Sequence, residues 1–136
     1  MGLERLDKSS YRDNESEWNV SVISTVATLI RSARIDLSTE KSAQACIEHL
    51  LSVAGIEYQR EHRLSDADIV DFLIDGVAVE VKLKSAGKKS VYSQLCRYAR
   101  HESVKAIILV SNLSMGLPEQ IEGKDAYLVK LGEGWL

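Results

Sequence analysis

The chain has 136 residues, of which 45% are hydrophobic and 27% are charged. This fits one globular domain with a buried core and argues against a disordered chain. The start of the chain contains no apolar signal-peptide core, and the longest apolar stretch, residues 20–30, is too short to cross a bilayer. The only two cysteines, Cys46 and Cys96, both fall in predicted helices, so we expect a reduced, cytoplasmic protein.

A polar lead-in, residues 1–13, precedes the first predicted helix. From about Glu15 to Arg34, apolar side chains recur at helical spacing, which predicts an amphipathic helix. We therefore divide a single globular domain into an N-terminal extension, residues 1–37, and a main part, residues 38–136. The helix of the extension is expected to cover a sheet face or to form a subunit contact.

The second predicted helix, Glu40–Ala54, is preceded by the N-cap candidates Ser38-Thr39 and followed by Gly55, a favourable residue for a helix C-terminus. It carries two acids that compete for a functional role. Glu40 lies in the first turn, where the helix dipole alone would favour a carboxylate. Glu48 lies mid-helix and is most simply a solvent-facing residue.

A β-hairpin is predicted next, after a first strand over residues 56–64. Two β-rich runs, residues 69–74 and 77–83, are separated by Asp75-Gly76. Asp-Gly between such runs favours a type I′ turn, because both central residues of that turn need positive φ. The hairpin is the centre of the functional prediction. On the first strand, Arg60 and Glu61 are candidates for the edge of the site, although an edge-strand ion pair is the commoner explanation for such residues.

The two-residue turn fixes the register of the predicted hairpin. Its apolar side would consist of three facing pairs: Ile74 with Val77, Phe72 with Val79, and Val70 with Val81. On the other side Asp71 would face Glu80, with Lys82 two residues along the same strand. Like charges directly opposite each other destabilise a sheet, and a divalent cation would remove that conflict. The register therefore predicts a metal site, from which Asp68 is left out because its parity differs from that of Asp71.

A basic stretch follows the hairpin, although the whole chain has a net charge of −3. Between residues 82 and 105, seven basic residues stand against one acid, so this stretch carries +6 and the rest of the chain −9. A positive track next to an acidic pair suits the phosphates of a nucleic acid, although a solvated loop and helix face would look the same.

The remaining elements complete an alternation of strands and helices. Ser90 is predicted to cap a helix, Val91–Glu102, on which Gln94 and Tyr98 are one turn apart. Residues 104–111 form a continuous apolar run that is typical of a strand buried on both faces. A loop over residues 112–123 and a short last strand over residues 126–131 follow.

Asp71, Glu80-Val81-Lys82 and Gln94-x-x-x-Tyr98 together resemble the motifs of the PD-(D/E)XK nuclease superfamily, in particular RecB-like, small phage-type and Holliday-junction-resolvase-like nucleases. Val70 stands where the superfamily has a proline. The resemblance covers residues 38–112 and implies an α/β fold. Its restriction-endonuclease-like α-β-β-β-α-β core would have a mixed sheet flanked by helices, with an extra N-terminal helix.

The resemblance implies roles for individual residues. Asp71, Glu80 and the carbonyl of Val81 would bind Mg²⁺ or Mn²⁺, ions that prefer oxygen ligands. Lys82 would orient the attacking water or stabilise charge on the phosphate, and Gln94 would contact Lys82 or the DNA backbone. Glu40 matches the acid that many of these families place on the preceding helix, better than Glu48 does. The residues expected to contact nucleic acid are Lys84, Lys88, Lys89, Arg97, Tyr98 and Arg100.

The expected activity is metal-dependent hydrolysis of phosphodiester bonds in DNA, with RNA as an alternative substrate. No added recognition domain is visible in these 136 residues, so we expect cutting directed by nucleic-acid structure or by a partner, in a homodimer. The first alternative is a nuclease-fold module that binds nucleic acid or a protein with weak catalysis. The second is an ordinary α/β interaction domain in which the register of Asp71 and Glu80 is misassigned.

Overall fold

A computed structural model describes residues 8–84 and 86–132, with residues 8–16 described as helical backbone only. The described residues form three helices and six strands. In chain order they are α1 (Lys8–Arg31), α2 (Glu40–Val53), β1 (Gln59–Arg63), β2 (Ile69–Ile74), β3 (Val77–Lys82), α3 (Lys88–Ala99), β4 (Ala106–Ser111), β5 (Gln120–Ile121) and β6 (Lys124–Lys130).

The strands form one mixed sheet in the order β1-β2-β3-β4-β6-β5. The first three strands make an antiparallel meander, β4 and β6 join β3 in parallel, and β5 pairs antiparallel with β6. Helix α3 connects the parallel neighbours β3 and β4, as a crossover between parallel strands requires. The predicted α/β class, with a mixed sheet flanked by helices, is confirmed.

Two core layers lie on the two faces of the sheet. Helices α1 and α2 pack on one face through residues such as Ile30 and Ile47, and α3 packs on the other through residues such as Leu95. All six residues of β4 are buried, which confirms the prediction of a strand covered on both faces. The centre of the sheet therefore excludes water, and polar groups placed there need partners within the protein.

Helix α1 covers a sheet face, which was one of the two expectations for the N-terminal helix. It buries Ile23, Val26, Ala27 and Ile30 in the same core layer as α2. The helix begins at Lys8, earlier than predicted, and ends at Arg31. Residues 1–7 of the predicted lead-in lie outside the described residues. Among the described residues, no helix is both long enough and apolar enough to cross a membrane.

Helix α2 begins and ends where its capping residues predict. The hydroxyl of Thr39 accepts a hydrogen bond from the backbone N–H of Ser42 at 3.0 Å, as an N-cap residue does. At the other end Ala54 is the C-cap, and Gly55 has a φ of +71°, the left-handed conformation that glycine adopts most readily.

Helix α3 begins earlier than predicted. Its N-cap is Gly87, whose carbonyl accepts from the N–H of Val91 at 3.0 Å, so Ser90 lies inside the first turn and is not the cap. The helix also ends at Ala99, before the predicted Glu102. Lys88 and Lys89 form the start of the helix, where the good helix propensity of lysine is compatible with this conformation.

A second hairpin was missed by the sequence prediction. Residues 120–121, which we expected to be loop, form β5 and pair with the start of β6. The connecting residues Glu122 and Gly123 have φ angles of +51° and +76°. Both values suit a two-residue turn, and the glycine was the signal that could have revealed it.

Candidate active site

The β2–β3 hairpin positions the candidate site, and its turn has the predicted geometry. Asp75 and Gly76 have φ angles of +48° and +83°. A Cβ on Gly76 would lie 2.8 Å from the side chain of Lys105, so this position needs glycine for space as well as for conformation. The turn also connects to the rest of the sheet, because the carbonyl of Gly76 accepts from the N–H of Lys105 at 2.7 Å.

The register next to the turn is the predicted one, with Ile74, Leu73 and Phe72 opposite Val77, Ala78 and Val79. Beyond these pairs, two carboxylates take over the hydrogen bonding between the strands. The N–H of Asp71 donates to Oε1 of Glu80 at 3.1 Å, and the N–H of Val81 donates to Oδ2 of Asp71 at 2.8 Å. The regular backbone pairing of the two strands therefore ends at this level, and the acidic side chains connect them.

The regular pairing of β2 with β3 ends at Phe72, before Asp71 and Glu80, and the predicted pairing of Val70 with Val81 is wrong. Val70, expected on the same face as Phe72, packs in the core layer under α3, whereas Phe72 packs under α1 and α2. Val70 therefore does not share its core layer with Val81. A one-residue distortion at Asp71 moves the neighbours of that residue to opposite faces of the sheet.

The edge strand β1 is distorted at the same level. Its pairs with β2 include Arg60 with Phe72 and His62 with Val70, so Glu61 lies at the level of Asp71. Glu61 has a φ of +48°, in the left-handed region that a glutamate rarely adopts. The irregularity thus involves both strands.

Glu80 is almost fully buried, with 2% of its surface exposed. Its Oε2 lies 3.3 Å from Nζ of Lys82 and 3.2 Å from the hydroxyl of Tyr98. Burial raises the pKa of Glu80 to about 7, and the neighbouring charge of Asp71 adds to that rise, while Lys82 opposes it. Without a further cation, this carboxyl holds a proton over much of the acidic and neutral pH range.

The pKa of Asp71 is also raised, again mainly by burial. The hydrogen bond from Val81 and the positive charges of Lys82 and Arg60 act in the opposite direction. Two acids that share a site in this way titrate as a pair, since ionisation of one disfavours ionisation of the other. The two carboxyls lie close together, as predicted. Each also accepts a hydrogen bond from a backbone N–H group of the opposite strand.

Tyr98 and Gln94 support Glu80 from α3. The hydroxyl of Tyr98 donates to the carbonyl of Ile69 at 2.8 Å, and Nε2 of Gln94 donates to that hydroxyl at 2.7 Å. Only 1% of Tyr98 is exposed, so the prediction that it contacts nucleic acid is wrong. Gln94, predicted to contact Lys82 or DNA, instead connects to Glu80 through Tyr98.

The basic residues in and next to α3 divide into two groups. Arg97 donates to Oδ1 of Asp68 at 3.1 Å and Arg100 to Oε1 of Glu122 at 3.3 Å. Both were predicted to contact nucleic acid, and both are engaged in ion pairs. Lys84, Lys88 and Lys89 are exposed.

Asp68, which was left out of the predicted site, forms a separate buried cluster on the α3 side of the sheet. In addition to Arg97, its carboxylate contacts Nε2 of His101, which lies 3.0 Å from Oδ2. These hydrogen bonds lower the pKa of Asp68, with His101 as the main cause. The cluster attaches the start of β2 to α3.

A third acid does not complete the site. Among the described residues, no group of three or more His, Cys, Asp and Glu side chains has the geometry to hold a metal ion, so Glu40 does not join Asp71 and Glu80 in such a group. Glu48 instead lies 4.0 Å from Nε of Arg60. The pair of carboxylates is therefore the acidic part of the candidate site.

The chemistry of this donor set nevertheless fits a hard divalent cation. Asp71 and Glu80 accept from backbone N–H groups, and each carboxylate oxygen has a second lone pair. Mg²⁺ is commonly held by one or two carboxylates while it keeps several waters. Burial is the main cause of the raised pKa values of both acids, and Mg²⁺ or Mn²⁺ would favour their ionised forms, with the Val81 carbonyl as a further oxygen donor.

Gln44 is a residue near the site that sequence reasoning missed, and Arg60, considered as a possible site-edge residue, was interpreted only as a partner of Glu61, which it does contact at 3.7 Å. Nη2 of Arg60 donates to Oε1 of Gln44 at 2.8 Å, and Nη1 donates to the backbone carbonyl of Asp71 at 3.4 Å. A signal was present in the sequence, because Arg60 occupies an apolar position of the alternation that begins with Ile56 and Tyr58. A charged residue at such a position points towards the core and needs a partner there.

The chain was compared with models of protein families, with curated proteins and with solved structures, and none of them matched.

Proposed function

We propose that the protein is a metal-dependent nuclease that hydrolyses phosphodiester bonds in DNA. The observation that carries this proposal is the pair formed by the half-buried Asp71 and the buried Glu80, which contact each other's neighbouring strands and have Lys82 beside them. A buried like-charge pair costs stability, and a catalytic cation is the simplest reason to keep one. The order of helices and strands supports a restriction-endonuclease-like core as part of the same proposal.

In this mechanism the carboxylates of Asp71 and Glu80 bind Mg²⁺ or Mn²⁺, with the Val81 carbonyl as a third protein ligand. The bound ion supplies Lewis-acid chemistry: it neutralises charge on the phosphate and lowers the pKa of a water molecule. Lys82, whose ammonium group is 3.3 Å from Glu80, orients that water or stabilises the negative charge that develops on the phosphate. Tyr98 keeps the Glu80 carboxylate in place.

Hydrolysis forms a bond between the water oxygen and phosphorus and breaks the bond from phosphorus to one sugar oxygen. The water loses a proton, and the departing sugar oxygen gains one. Lys82 is the cationic side chain next to Glu80, so its substitution should affect this step more than substrate affinity.

The exposed lysines Lys84, Lys88 and Lys89 would hold the phosphates of the nucleic acid. They follow β3 directly, so they begin two residues after Lys82. Arg97 and Arg100 contribute less to this track, because their charges are balanced by Asp68 and Glu122. Such a small contact surface supports cutting directed by strand ends, branches or a partner protein, with RNA as the alternative substrate.

A second function is favoured by one observation. Within residues 17–84 and 86–132 the acidic group consists of two carboxylates, and Lys82 and Tyr98 already contact Glu80. The same fold could therefore bind nucleic acid or a protein partner with weak catalysis.

A cleavage assay distinguishes the two functions. Plasmid, linear, single-stranded, flapped and branched DNA, together with an RNA of matched sequence, are incubated with Mg²⁺ or Mn²⁺ and with EDTA. We expect cleavage that requires metal and that Asp71→Asn and Glu80→Gln abolish, while the control Asp66→Asn, an exposed acid in the preceding loop, cleaves normally. Tight binding with no cleavage of any substrate would favour the binding module.

A further inference from the structure

Arg60 reaches the candidate site from the side of α2, opposite to Lys82 and α3. Its side chain is only 25% exposed, although it belongs to the edge strand β1. The guanidinium carbon lies 4.8 Å from the centre of the ring of Phe72, and Phe72 directly follows Asp71 in the chain. A cation packed on an aromatic ring in this way has a defined orientation.

The two ends of the Arg60 fork connect different elements. One nitrogen donates to the side-chain carbonyl of Gln44 on α2, and the other to the backbone carbonyl of Asp71 on β2. Gln44 is itself buried, with 8% of its surface exposed, so its amide oxygen has little access to water. Two acids at the rim, Glu48 at 4.0 Å and Glu61 at 3.7 Å, balance the charge of the guanidinium.

The contact with Asp71 falls where the sheet is irregular. The ladder of β2 gives way to side-chain hydrogen bonds at Asp71, and Glu61 on β1 has a positive φ at the same level. A backbone in this conformation persists only where its surroundings hold it. The guanidinium group supplies such a restraint, because its planar fork binds the distorted strand to a helix.

We propose that Arg60 is a positioning residue for the metal site. By connecting the backbone of Asp71 to Gln44, Arg60 holds Asp71 in the orientation that binds the cation. This inference rests on the proposed metal-dependent function. Arg60 touches the backbone of Asp71 and not the reacting atoms, so it acts through that residue. Groups that orient metal ligands typically change metal affinity about 10–100-fold when they are removed.

A purely electrostatic role makes the opposite prediction. A positive charge near two carboxylates repels a second cation, so removal of Arg60 would then tighten metal binding. A purely structural role makes a third prediction, in which the melting temperature falls and metal affinity stays the same. The sign of the change in metal affinity therefore separates the three roles.

The experiment compares Arg60→Met, Arg60→Lys and Gln44→Leu with the wild-type protein. The control is Arg63→Met, which replaces an exposed arginine on the same strand whose Nη1 donates to the loop carbonyls of Ser65 and Asp66. Mn²⁺ affinity is measured by calorimetry on the full chain without nucleic acid. Melting temperatures in EDTA are recorded for each variant.

We expect Arg60→Met to weaken Mn²⁺ binding about tenfold or more and Arg63→Met to leave it unchanged. Arg60→Lys should restore only part of the affinity, because an ammonium group cannot reproduce the planar fork between two acceptors. Gln44→Leu should also weaken binding, since it removes one of those acceptors. If Arg60→Met is unfolded, Arg60→Lys and Gln44→Leu carry the comparison.

Unchanged or tighter Mn²⁺ binding in Arg60→Met and Gln44→Leu would overturn the positioning role. Failure of the proposed function gives a different result. A wild-type protein that binds Mn²⁺ but cleaves no substrate refutes the nuclease and leaves the test of Arg60 intact. A wild-type protein that binds no Mn²⁺ refutes both.

Discussion

Asp71 and Glu80 combine two roles that a sequence pattern cannot separate. Each carboxylate accepts a backbone N–H from the opposite strand, which is a structural role, and each has a raised pKa, which indicates an unfavourable charge. The structural role needs only a hydrogen-bond acceptor, whereas the second role needs a negative charge. A neutral amide can accept the same hydrogen bond without carrying the charge. Substitutions that preserve shape therefore separate structure from charge.

Asp71→Asn should leave the metal-free protein as stable as the wild type, or more stable. The amide oxygen of asparagine can still accept from Val81, while the repulsion with Glu80 disappears. Millimolar Mg²⁺ or Mn²⁺ should raise the melting temperature of the wild type, as a ligand bound only to the native state does, and the variant should lose most of this response. Thermal melts with EDTA and with metal measure both effects.

The control for this prediction is Asp71→Ala. It removes the acceptor as well as the charge and leaves the N–H of Val81 without its side-chain partner, which costs about 1–3 kcal/mol when such a group is buried. A metal-free Asp71→Asn protein that is clearly less stable than the wild type would mean that the charge of Asp71 is a structural requirement.

The raised pKa of Glu80 predicts an unusual dependence of stability on pH. Its pKa rises from 4.5 to about 7 on folding, so the native state binds more protons than the unfolded state between these values. Stability of the metal-free protein should therefore fall as pH rises from about 4.5 to 7, by an amount of the order of 3 kcal/mol for a shift of this size. Urea unfolding in EDTA across this range measures the effect.

Glu80→Gln is the matched variant for the pH dependence. It keeps a side-chain oxygen for the N–H of Asp71 and cannot ionise, so its stability should vary less over the same range. Saturating Mg²⁺ should also flatten the wild-type curve, because a bound cation favours the ionised carboxylates. A wild-type protein whose stability rises steadily from pH 5 to 7 in EDTA would contradict the raised pKa.

At the scale of elements, α3 supports the start of β2. The Tyr98 hydroxyl contacts the carbonyl of Ile69, and the carboxylate of Asp68 is held by Arg97 and His101. These contacts lie within three residues of Asp71 along the chain. Helix α3 therefore controls where β2 enters the site, even though its basic residues were first assigned to nucleic acid.

Asp68→Asn should destabilise the protein by about 1–3 kcal/mol, because it removes the charge from two hydrogen bonds of a buried carboxylate. Asp66→Asn, a substitution of the exposed acid two residues earlier, should stay within about 0.5 kcal/mol of the wild type. Chemical denaturation at neutral pH compares the two. Equal stability of both variants would show that the cluster does not anchor β2.

The hairpin and the caps of α2 could be predicted because each depends on a few adjacent residues. Asp75-Gly76 determines a turn, and Thr39 determines a helix start, with no contribution from distant parts of the chain. The distortion at Asp71 could not be predicted in this way. It depends on a positive φ at Glu61 and on Arg60, which belong to another strand.

The same reason explains which site residues were found. Asp71, Glu80 and Lys82 follow from the register of one hairpin, and the structure brings them together. The position of Tyr98 beneath Glu80 requires the packing of α3 on the sheet, which no local pattern contains. Glu40 was chosen for its place on α2, but the residues of α2 that contact Arg60 at the edge of the site are Gln44, at 2.8 Å, and Glu48, at 4.0 Å.

At the scale of the whole molecule, a homodimer remains a prediction. Helix α1 covers the sheet with one side and exposes Trp18 and Val20 on another, with more than half of each residue accessible. Two cuts in a duplex or junction need two active sites, which is the functional reason to expect a pair. Sedimentation at high protein concentration should give a dimer that Trp18→Glu weakens, and a monomeric wild type would remove the prediction.

The positive track also depends on the whole molecule. The sequence suggested seven basic residues in one stretch, but Arg97 and Arg100 are paired with acids from β2's entry loop and from the β5–β6 turn. The charge available for phosphates is therefore concentrated near the start of α3, in Lys84, Lys88 and Lys89. This location places the track next to Lys82, at the end of β3.

Replacing Lys88 and Lys89 with alanine should weaken DNA binding and flatten its dependence on salt. Each phosphate contact releases counterions, so the loss of two contacts should reduce the slope of log K against log salt by about 2 for duplex DNA. Lys82→Ala should instead lower the cleavage rate with little change in affinity, because Lys82 is held against Glu80. Lys41→Ala, which replaces an exposed lysine on α2, is the control and should change neither quantity.

Binding isotherms at several salt concentrations and single-turnover cleavage rates measure the two effects separately. Equal losses of affinity from Lys82→Ala and from the double variant would place Lys82 in the phosphate track and remove it from the catalytic step.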